Sequence, residues 1–444
     1  MKDLFMKNLL FISHDGDFKG GAEISGLELL KSARDRGYNI TAVVPNKSGF
    51  YEQLQKNGIE VHSLNYGWYV PSDTPQESLQ GEELNSTALL TQLITRKEID
   101  IVISNSTVVP WGALAAAITD TPHVWICREF PEDDLSYIAD YYDFVDSFSN
   151  RIIANSENVA LYIRDRFKLK QVSHFYSFVD TSNLKLSGNL TEPRIIQVGN
   201  ISSRKNQLEL IQAAGILKKE GNFNNEIVFI GHIVENEYYT ILKETISRLG
   251  LGNSVNFVPF TSDPWELINE NDIFVQTSSS ESIGRTTTEA MKLGLICIGS
   301  NIPGVQEAFS LGGGHLYKHG NPRDLSKRIK EVLSNPIKYK NIAKVSKTNA
   351  LNNMSEKACH DPFFEQLKQL ETVSNPQRQL RHLYAYTAVD LRNKELLKSS
   401  FDREVKRSSD LMLERAELYK KIDDIQQSKS WKLIVLFKRF VGRK

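Results

Sequence analysis

The sequence contains little cysteine and no long hydrophobic run. Three of its 444 residues are cysteine, and Cys127, Cys297 and Cys359 are too far apart to suggest a disulfide framework or a zinc site. The apolar run near the start, residues 9–12, is too short for a signal peptide or a membrane span, and no other run reaches about 18 apolar residues. These absences predict a protein of the reducing cytosol that does not cross a bilayer.

The chain also lacks an excess of charge of either sign. It has 54 Lys and Arg and 54 Asp and Glu, which argues against a protein that works by wrapping nucleic acid. The charge is unevenly distributed, because residues 374–444 carry 17 basic and 9 acidic side chains and residues 1–373 therefore carry a net charge of −8. Glycine and proline are sparse in residues 374–444. We therefore predict a globular body followed by a basic helical tail.

Within the body, short apolar runs alternate with longer segments of helical period. Short β-branched runs separated by helices are typical of strands in parallel sheets that are covered on both faces. The pattern occurs twice, with a join near residues 175–180. It predicts an α/β protein with two Rossmann-like, doubly wound domains facing each other across a cleft. The predicted strands are residues 8–13, 40–44, 60–63, 101–104, 123–127, 152–154, 194–198, 226–230, 255–258, 273–276 and 296–298.

In doubly wound sheets ligands bind at the carboxyl ends of the strands, so the loops there are the first place to search. After the first predicted strand, Gly20 and Gly21 would let the backbone approach a ligand closely. The helix that follows would present unsatisfied N–H groups to an anion. A plain strand-to-helix turn is the alternative interpretation.

The first strand of the second half is followed by a loop that contains Gly199 and Asn200 and then two adjacent cations, Arg204 and Lys205. Lys as a point charge and Arg as a bidentate fork suit a pair of phosphates. A solvated helix start would look similar, although cations at a helix N-terminus oppose the helix dipole.

A third loop, residues 278–291, combines small residues with two carboxylates. The small side chains near Gly284 leave backbone amides at a predicted helix start free to hold a diphosphate. Glu281 and Glu289 would repel that diphosphate unless they accept hydrogen bonds from ligand hydroxyls, and a nucleotide sugar offers both groups. The alternative is an N-terminal helix acid at Glu281 and a solvated side chain at Glu289. The candidate binding residues between the two acids are Ser282, Ile283, Gly284 and Arg285.

Glu281 and Glu289, in a Glu-Ser-Ile-Gly…Glu-Ala-Met-Lys-Leu-Gly setting, resemble the Glu-x7-Glu motif of family-4 retaining glycosyltransferases with the GT-B fold, the glycosyl transferases group 1. Further segments resemble parts of that family in the same order over about residues 8–335. They are residues 20–23 (its N-terminal glycine loop), 153–156 (its last N-domain strand and helix cap), 198–205 (its diphosphate loop) and 302–307 (the segment after the next strand).

The resemblance implies a role for each matching residue. Lys205 would pair with the donor diphosphate, and Gly284 and Arg285 would offer it backbone amides. Glu289 would hold the nucleotide ribose, and Glu281 would orient the sugar. The resemblance further implies transfer of a sugar from a nucleotide-diphosphate sugar with retention of configuration, with no metal ion and no cofactor.

By the same resemblance, the chain divides into four parts. Residues 1–178 form the acceptor-side domain, residues 179–355 the donor domain, residues 356–373 a crossover helix and residues 374–444 the basic tail.

The sequence departs from the family pattern at three places. Asn200 stands where an Arg is common, so Arg204 would supply part of that charge. Residues 176–180 replace the usual linker. Arg128 and Glu129 follow the strand 123–127, where many members place a His that contacts the donor sugar. Arg128 would then hold an anionic group and Glu129 a sugar hydroxyl, or the two form a structural salt bridge.

Two more residues follow predicted strands. Asn105 is a candidate for acceptor contact because of its position. A lone His such as His14 is more often a packing or capping residue than a catalytic one.

The last segment, residues 429–444, contains six Lys or Arg and no acid, together with Trp431 and several aliphatic residues. A basic amphipathic helix with a Trp at its edge would lie on an anionic membrane surface, and a helix docked on the body is the alternative.

Together with the basic tail, the resemblance implies a cytoplasmic enzyme, peripheral at the inner face of the membrane, that glycosylates a glycan or lipid-linked acceptor in cell-surface polysaccharide or glycolipid synthesis. A sugar phosphorylase or epimerase on the same fold, or a non-catalytic GT-B partner subunit, remains the alternative.

Overall fold

The computed structural model describes residues 7–18, 20–68, 80–128, 130, 142, 145–146, 148–169, 171–188, 192–221 and 223–372. Within these ranges the chain forms two parallel β-sheets. The first sheet has the strand order β3-β2-β1-β4-β5-β6-β7. Its strands are β1 (Asn8–Ser13), β2 (Asn39–Val44), β3 (Glu60–Ser63), β4 (Ile101–Asn105), β5 (His123–Cys127), β6 (Arg151–Ala154) and β7 (Val172–His174).

The second sheet has the order β10-β9-β8-β11-β12-β13. Its strands are β8 (Ile195–Val198), β9 (Ile227–Ile230), β10 (Val255–Val258), β11 (Ile273–Gln276), β12 (Ile296–Ser300) and β13 (His315–Tyr317). In each sheet the chain starts at a central strand, builds outward to one edge and then returns to build the other edge. Each sheet therefore has a switch point, between β1 and β4 and between β8 and β11, which is where ligands bind in such folds.

Helices cover the sheets and connect successive strands. The first domain contains α1 (Gly21–Asp35), α2 (Gly49–Lys56), α3 (Gln80–Arg96), α4 (Trp111–Thr119) and α5 (Glu157–Phe167). The rest of the described chain contains α6 (Gln207–Lys219), α7 (Asn236–Arg248), α8 (Arg285–Leu293), α9 (Pro303–Leu311), α10 (Pro322–Ser334), α11 (Pro336–Asn353) and α12 (Glu356–Lys368). In the described ranges, none of the helices is both long and apolar enough to span a bilayer.

The predicted α/β fold with two doubly wound domains is confirmed. Each of the eleven predicted strands corresponds to an observed strand. The reason is clearest in β1, β4, β5, β8 and β9, which consist of apolar runs and are buried almost throughout. Two edge strands, β7 and β13, were missed. Each has three residues and is partly exposed, and the sequences Val-Ser-His and His-Leu-Tyr carry no continuous apolar signal.

Helix α12 returns to the first domain after the second one is complete. Phe363 and Phe364 pack in the same apolar cluster as Leu9 of β1, and Arg36, directly after α1, forms ion pairs with α12. The carboxylates of these pairs are 40% and 45% exposed, so we attribute the docking mainly to the buried phenylalanines. The predicted basic tail, residues 374–444, lies outside the described residues.

His360 of α12 lies fully buried beside Phe175 and Phe178, and within the described part of the chain neither of its ring nitrogens has a hydrogen-bond partner. Burial lowers its pKa to about 4, with Glu356 and Asp361 opposing the shift and Arg36 and Arg128 adding to it. The folded state therefore keeps this imidazole neutral, whereas the unfolded chain binds a proton below a pKa of about 6.5.

The contribution of His360 to the free energy of unfolding should therefore be fully present above pH 6.5 and should be lost as the pH drops towards 4. Between pH 7 and pH 5, His360 contributes a loss of about 2 kcal/mol. A His360→Phe variant should lose that much less free energy of unfolding over the same interval, as measured by urea unfolding at both pH values. An identical loss in the variant and the wild type would contradict the assignment.

Candidate functional site

Two loops that the sequence singled out lie side by side. Strands β8 and β11 are paired in the sheet, so the loops that follow them leave the same edge. The amide of Ser279 donates to the carbonyl oxygen of Arg204 at 2.9 Å, and the Thr277 hydroxyl donates to the carbonyl oxygen of Lys205 at 2.9 Å. Gln197 donates to the same Lys205 oxygen at 2.8 Å. These bonds hold the two loops together as one surface.

The Lys205 ammonium donates to a carboxylate oxygen of Glu281. The same oxygen accepts hydrogen bonds from Gln276 Nε2 and Ser278 Oγ, both at 3.0 Å, and Glu281 is 8% exposed. Burial acts to raise the pKa of Glu281, but the charges of Lys205 and Arg204 and the hydrogen bonds outweigh it, and the pKa is lowered. Glu281 is therefore an ionised acceptor, and because α8 begins only at Arg285, it does not lie in the first turn of that helix.

The backbone around Lys205 is shaped by local sequence. Ser202 accepts from the Lys205 amide and so caps a short 3-10 turn, Ser203–Lys205, which ends at Asn206 in the left-handed region with a φ of 50°. Gly199 has a φ of 148°, and a side chain on the neighbouring Gly231 would meet the Gly199 carbonyl oxygen at 2.2 Å. Glycine at these positions lets two strand-end loops pass in contact.

Asn200, beside Gly199, contributes its backbone to this surface. Its carbonyl oxygen accepts from the Gln207 side chain at 2.9 Å, which fixes the loop against the start of α6. The resemblance placed a cation at this position, and Arg204 lies one short turn away on the same loop.

Helix α8 begins directly after Gly284, whose φ is 73°. This left-handed conformation favours glycine, and it turns the chain from the loop of Ser282 and Ile283 into the helix. The first N–H groups of a helix have no intrahelical acceptor. The amides at Arg285 and the residues after it are thus available to an anion at the carboxyl edge of the sheet.

Glu289 lies one turn into α8 and is 7% exposed. Its two carboxylate oxygens contact Arg285 Nε at 2.9 Å and Trp265 Nε1 at 3.1 Å. Burial raises the pKa of Glu289, and the Arg285 charge and the Trp265 hydrogen bond only partly oppose that rise. The interpretation of Glu289 as a solvated surface residue is therefore wrong.

In the first domain, Gly20 caps α1 and Gly21 is its first residue. A side chain at Gly20 would lie 2.3 Å from a carboxylate oxygen of Glu23, so the carboxylate occupies the space that glycine leaves. The other Glu23 oxygen lies 3.2 Å from His14 Nδ1. Burial and the Arg128 charge lower the pKa of His14 to about 4, so this imidazole is neutral at neutral pH.

Arg128 is buried at the carboxyl end of β5. Its guanidinium donates to Asn105 Oδ1 and to Ser25 Oγ, both at 2.7 Å, and to Ser177 Oγ at 3.3 Å. It therefore joins β4, α1 and the segment that links the two domains. Glu129, the predicted partner of this arginine, lies outside the described residues.

The loop that follows β11 also contacts the first domain. Asn155 Nδ2, after β6, donates to Ser282 Oγ at 3.2 Å. Glu307 of α9 accepts from the amides of Glu157 and Asn158, at 2.6 and 3.0 Å, and so caps the N-terminus of α5. The loop that carries Glu281 and Ser282 therefore lies between the two domains.

Two contacts, one at a glycine and one at a lysine, fix this loop and the helix that follows it. A side chain on Gly304, at the start of α9, would meet the Glu281 carbonyl oxygen at 1.9 Å, so α9 begins in contact with the loop. The buried Lys292 of α8 donates to the Val179 carbonyl oxygen at 2.8 Å and lies 4.5 Å from the Phe178 ring centroid. The helix is thereby fixed to the linker between the domains.

The structure thus brings together the second and third predicted loops, with Lys205 in contact with Glu281, and Glu289 lies in the helix that follows them. The glycine loop and Arg128 belong to the facing first domain. The sequence reasoning gave no role to Gln276, Ser278, Trp265 or Glu307. Gln276 ends a predicted strand and Ser278 follows it, so both could have been found by position. The contacts of Trp265 and Glu307 depend on packing that the sequence pattern does not report.

Two family comparisons match consecutive parts of the chain. Residues 19–183 match the family described as Glycosyltransferase Family 4, and residues 180–349 match Glycosyl transferases group 1. Together the two matches extend over most of the described chain.

Similar proteins include a capsular polysaccharide biosynthesis glycosyltransferase, CapH, of Staphylococcus aureus. It is 23% identical over 296 residues, which cover 64% of this chain and 79% of CapH. An uncharacterized glycosyltransferase of Haemophilus influenzae is 23% identical over 75% of this chain and 92% of its own. Among solved structures, Anabaena Alr3699/HepE in complex with UDP and glucose superimposes with a TM-score of 0.67 and 22% identity, covering 82% of this chain and 99% of the other.

Proposed function

The chain belongs to the family-4 glycosyltransferases of the GT-B fold, and from that premise we propose that it transfers a sugar from a nucleotide-diphosphate sugar with retention of anomeric configuration. The observation that carries the proposal is the buried Lys205–Glu281 pair on two joined loops at the switch point of the second sheet. A cation and an ionised acceptor side by side suit a ligand with both phosphates and hydroxyls. A related structure was solved with UDP and glucose, which agrees with such a donor.

In the proposed reaction the donor diphosphate lies against Lys205 and Arg204 and the first amides of α8, near Gly284 and Arg285. As the bond from the anomeric carbon to the diphosphate breaks, negative charge develops on the leaving phosphate, and these groups stabilise it. The positive charge comes from side chains and amides, so the proposal requires neither a metal ion nor a cofactor.

Glu281 would bind the donor sugar and would take no part in proton transfer. Its lowered pKa keeps it ionised, so it can accept hydrogen bonds from sugar hydroxyls but cannot act as a general acid at neutral pH. The departing phosphate would itself take the proton from the acceptor hydroxyl. Glu289, with its oxygens fixed by Arg285 and Trp265, would accept from the ribose hydroxyls.

The acceptor would bind on the side of the first domain, near the buried Arg128 and Asn105. We propose a glycan or lipid-linked acceptor in cell-surface polysaccharide or glycolipid synthesis, in keeping with the role in the name of the S. aureus relative. The enzyme would act in the cytoplasm at the inner face of the membrane, held there by residues 429–444.

A release assay with a panel of nucleotide sugars and acceptor glycans tests the proposal. We expect release of a nucleoside diphosphate that depends on the acceptor, with an α-linked product from an α-linked donor when the product is analysed by NMR. Release that requires free phosphate would indicate a phosphorylase, and interconversion of the donor sugar alone would indicate an epimerase. Binding without any turnover would indicate a non-catalytic partner subunit.

Deleting residues 429–444 tests the membrane part of the proposal. Since this segment has six basic residues and no acid, its removal should lower binding to anionic vesicles by at least about tenfold. Cosedimentation of the full chain and of the deletion variant measures the effect. Equal sedimentation of the two would contradict a membrane role for the tail.

A further inference from the structure

Helix α11 presents an unusual outer face. Between Pro336 and Asn353 the helix contains four lysines and no acidic residue, and all four lysines are exposed. Its inner face is buried against the domain through Tyr339, Ala343, Ser346 and Ala350. Lys338 and Lys344 therefore lie on the arc that faces away from the body. Lys340 and Lys347 lie at the edge of that arc, where they donate to Asn271 Oδ1 and to the Leu293 carbonyl oxygen.

Three large aliphatic side chains lie on the same arc. Ile337 is 78% exposed, Val345 61% and Leu351 44%. At 100° per residue, these three fall within the central part of the exposed arc, and the lysines lie among them and on both flanks. A single exposed aliphatic residue needs no explanation, but three on one arc of an acid-free helix form a mixed basic and apolar surface.

The neighbouring helix enlarges the positive charge. Residues 322–353, which comprise α10 and α11, carry 8 Lys or Arg and 2 Asp or Glu. This segment therefore has a net charge of +6 within a body, residues 1–373, whose net charge is −8. The positive charge of the body is thus concentrated in this segment, and part of the charge on α10 is paired, since Arg328 contacts Glu331 and Lys330 contacts Glu220.

Charge decides between possible occupants of this surface. The chain's own tail, residues 374–444, is itself basic with a net charge of +8, and a second copy of α11 would present the same lysines. Both would repel the surface. An anionic bilayer suits both the lysines and the aliphatic side chains of this surface, because the lipid headgroups attract lysines while the membrane interface accepts aliphatic side chains.

We propose that the outer face of α11 is a docking surface for an anionic lipid bilayer. Lys338 and Lys344 contact the headgroups, and Ile337, Val345 and Leu351 enter the interface. Helix α11 packs directly on α8, so docking there would hold the helix that carries Glu289 one layer from the lipid. The surface is separate from the tail, and its test requires no nucleotide sugar, so its failure would leave the proposed transfer reaction untouched.

The test uses the full chain labelled at a single introduced cysteine. The three native cysteines are buried, so a bimane label would react selectively at Val345→Cys. Ile241→Cys is the matched control, since Ile241 is 48% exposed on α7, which packs against α6. Vesicles contain either phosphatidylcholine alone or one part phosphatidylglycerol to two parts phosphatidylcholine, with brominated acyl chains as quenchers.

We expect quenching at position 345 and not at position 241, only with the anionic vesicles, and a severalfold loss of quenching when Lys338→Glu and Lys344→Glu are added. Binding through the tail alone would leave position 345 unquenched and would overturn the proposal. Equal quenching at both positions, or quenching that survives the charge reversal, would also overturn it. A response of position 345 to a soluble polyanion such as polyglutamate, without a response to vesicles, would replace the lipid by an acidic partner.

Discussion

Replacing Glu281 by Gln should lower kcat for sugar transfer by about 100-fold. Gln has nearly the same shape, but it replaces one of two ionised acceptor oxygens by an NH2 donor. The carboxylate now accepts from Lys205, Gln276 and Ser278, and it stands where the donor sugar is proposed to lie. Without it, both the sugar hydroxyls and the Lys205 ammonium lose the acceptor that orients them. Steady-state nucleoside diphosphate release measures the change.

Glu266→Gln is the matched control for this variant, because Glu266 lies in the same domain and is exposed. It should keep the kcat of the wild type. Thermal unfolding of both variants establishes that each is folded. A Glu281→Gln variant that is folded and transfers sugar at the wild-type rate would remove Glu281 from the site.

Replacing Lys205 by Met should lower kcat by about 100- to 1,000-fold, since the proposed reaction relies on this cation to stabilise the leaving diphosphate. The structure adds an expectation about stability. Glu281 would remain as a buried carboxylate without its ammonium partner, so the free energy of unfolding should fall by up to about 3 kcal/mol. Turnover and urea unfolding of the same preparation measure the two effects separately.

The double variant Lys205→Met/Glu281→Gln separates catalysis from folding. It removes both charges of the pair, so its stability should exceed that of Lys205→Met alone while its turnover stays low. Lys219→Met, an exposed lysine at the end of α6, is the control for a lost positive charge. Wild-type turnover in a folded Lys205→Met variant would contradict the diphosphate role.

Much of the fold could be predicted because its strands are buried on both faces. The runs of β1 and β5 are continuous apolar segments, and such a run can only be a strand or a buried helix. The edge strands β7 and β13 have one neighbour each, and their three-residue sequences lack that signal. These two strands pair only when the rest of the sheet has formed, so their pairing is a property of the whole domain and not of their own sequences.

The candidate site could be predicted in part, for a related reason. Loops at the carboxyl ends of strands are fixed by topology, so Lys205 and Glu281 were expected near one another. Their direct ion pair depends on Ser202 capping the turn before Lys205 and on the left-handed φ of Asn206 and Gly284. Such details of a turn are decided by a few backbone angles and are weakly encoded in a hydrophobic pattern.

Contacts between side chains far apart in the chain were the hardest to predict from the sequence. For Arg128 the sequence left two interpretations open, contact with an anionic ligand or a salt bridge with the next residue, and that residue lies outside the described ranges. The guanidinium donates to Asn105, Ser25 and Ser177, which the sequence did not suggest. Likewise, Glu307 had been noted only as part of a motif, and it caps a helix that lies 150 residues earlier in the chain. The Arg128 contacts form only when β4, β5 and α1 have packed together, and the Glu307 contact forms only when the two domains face each other.

Calorimetric titration of nucleoside diphosphates into the wild type and into Lys205→Met tests the central claim most directly. The claim is that Lys205 and the start of α8 hold a donor diphosphate between the domains. We predict that at least one of the diphosphates of uridine, guanosine, adenosine, cytidine and thymidine binds the wild type, and that the same ligand binds Lys205→Met at least about tenfold more weakly. A diphosphate that binds both proteins with equal affinity, or no binding to the wild type at all, would contradict the account.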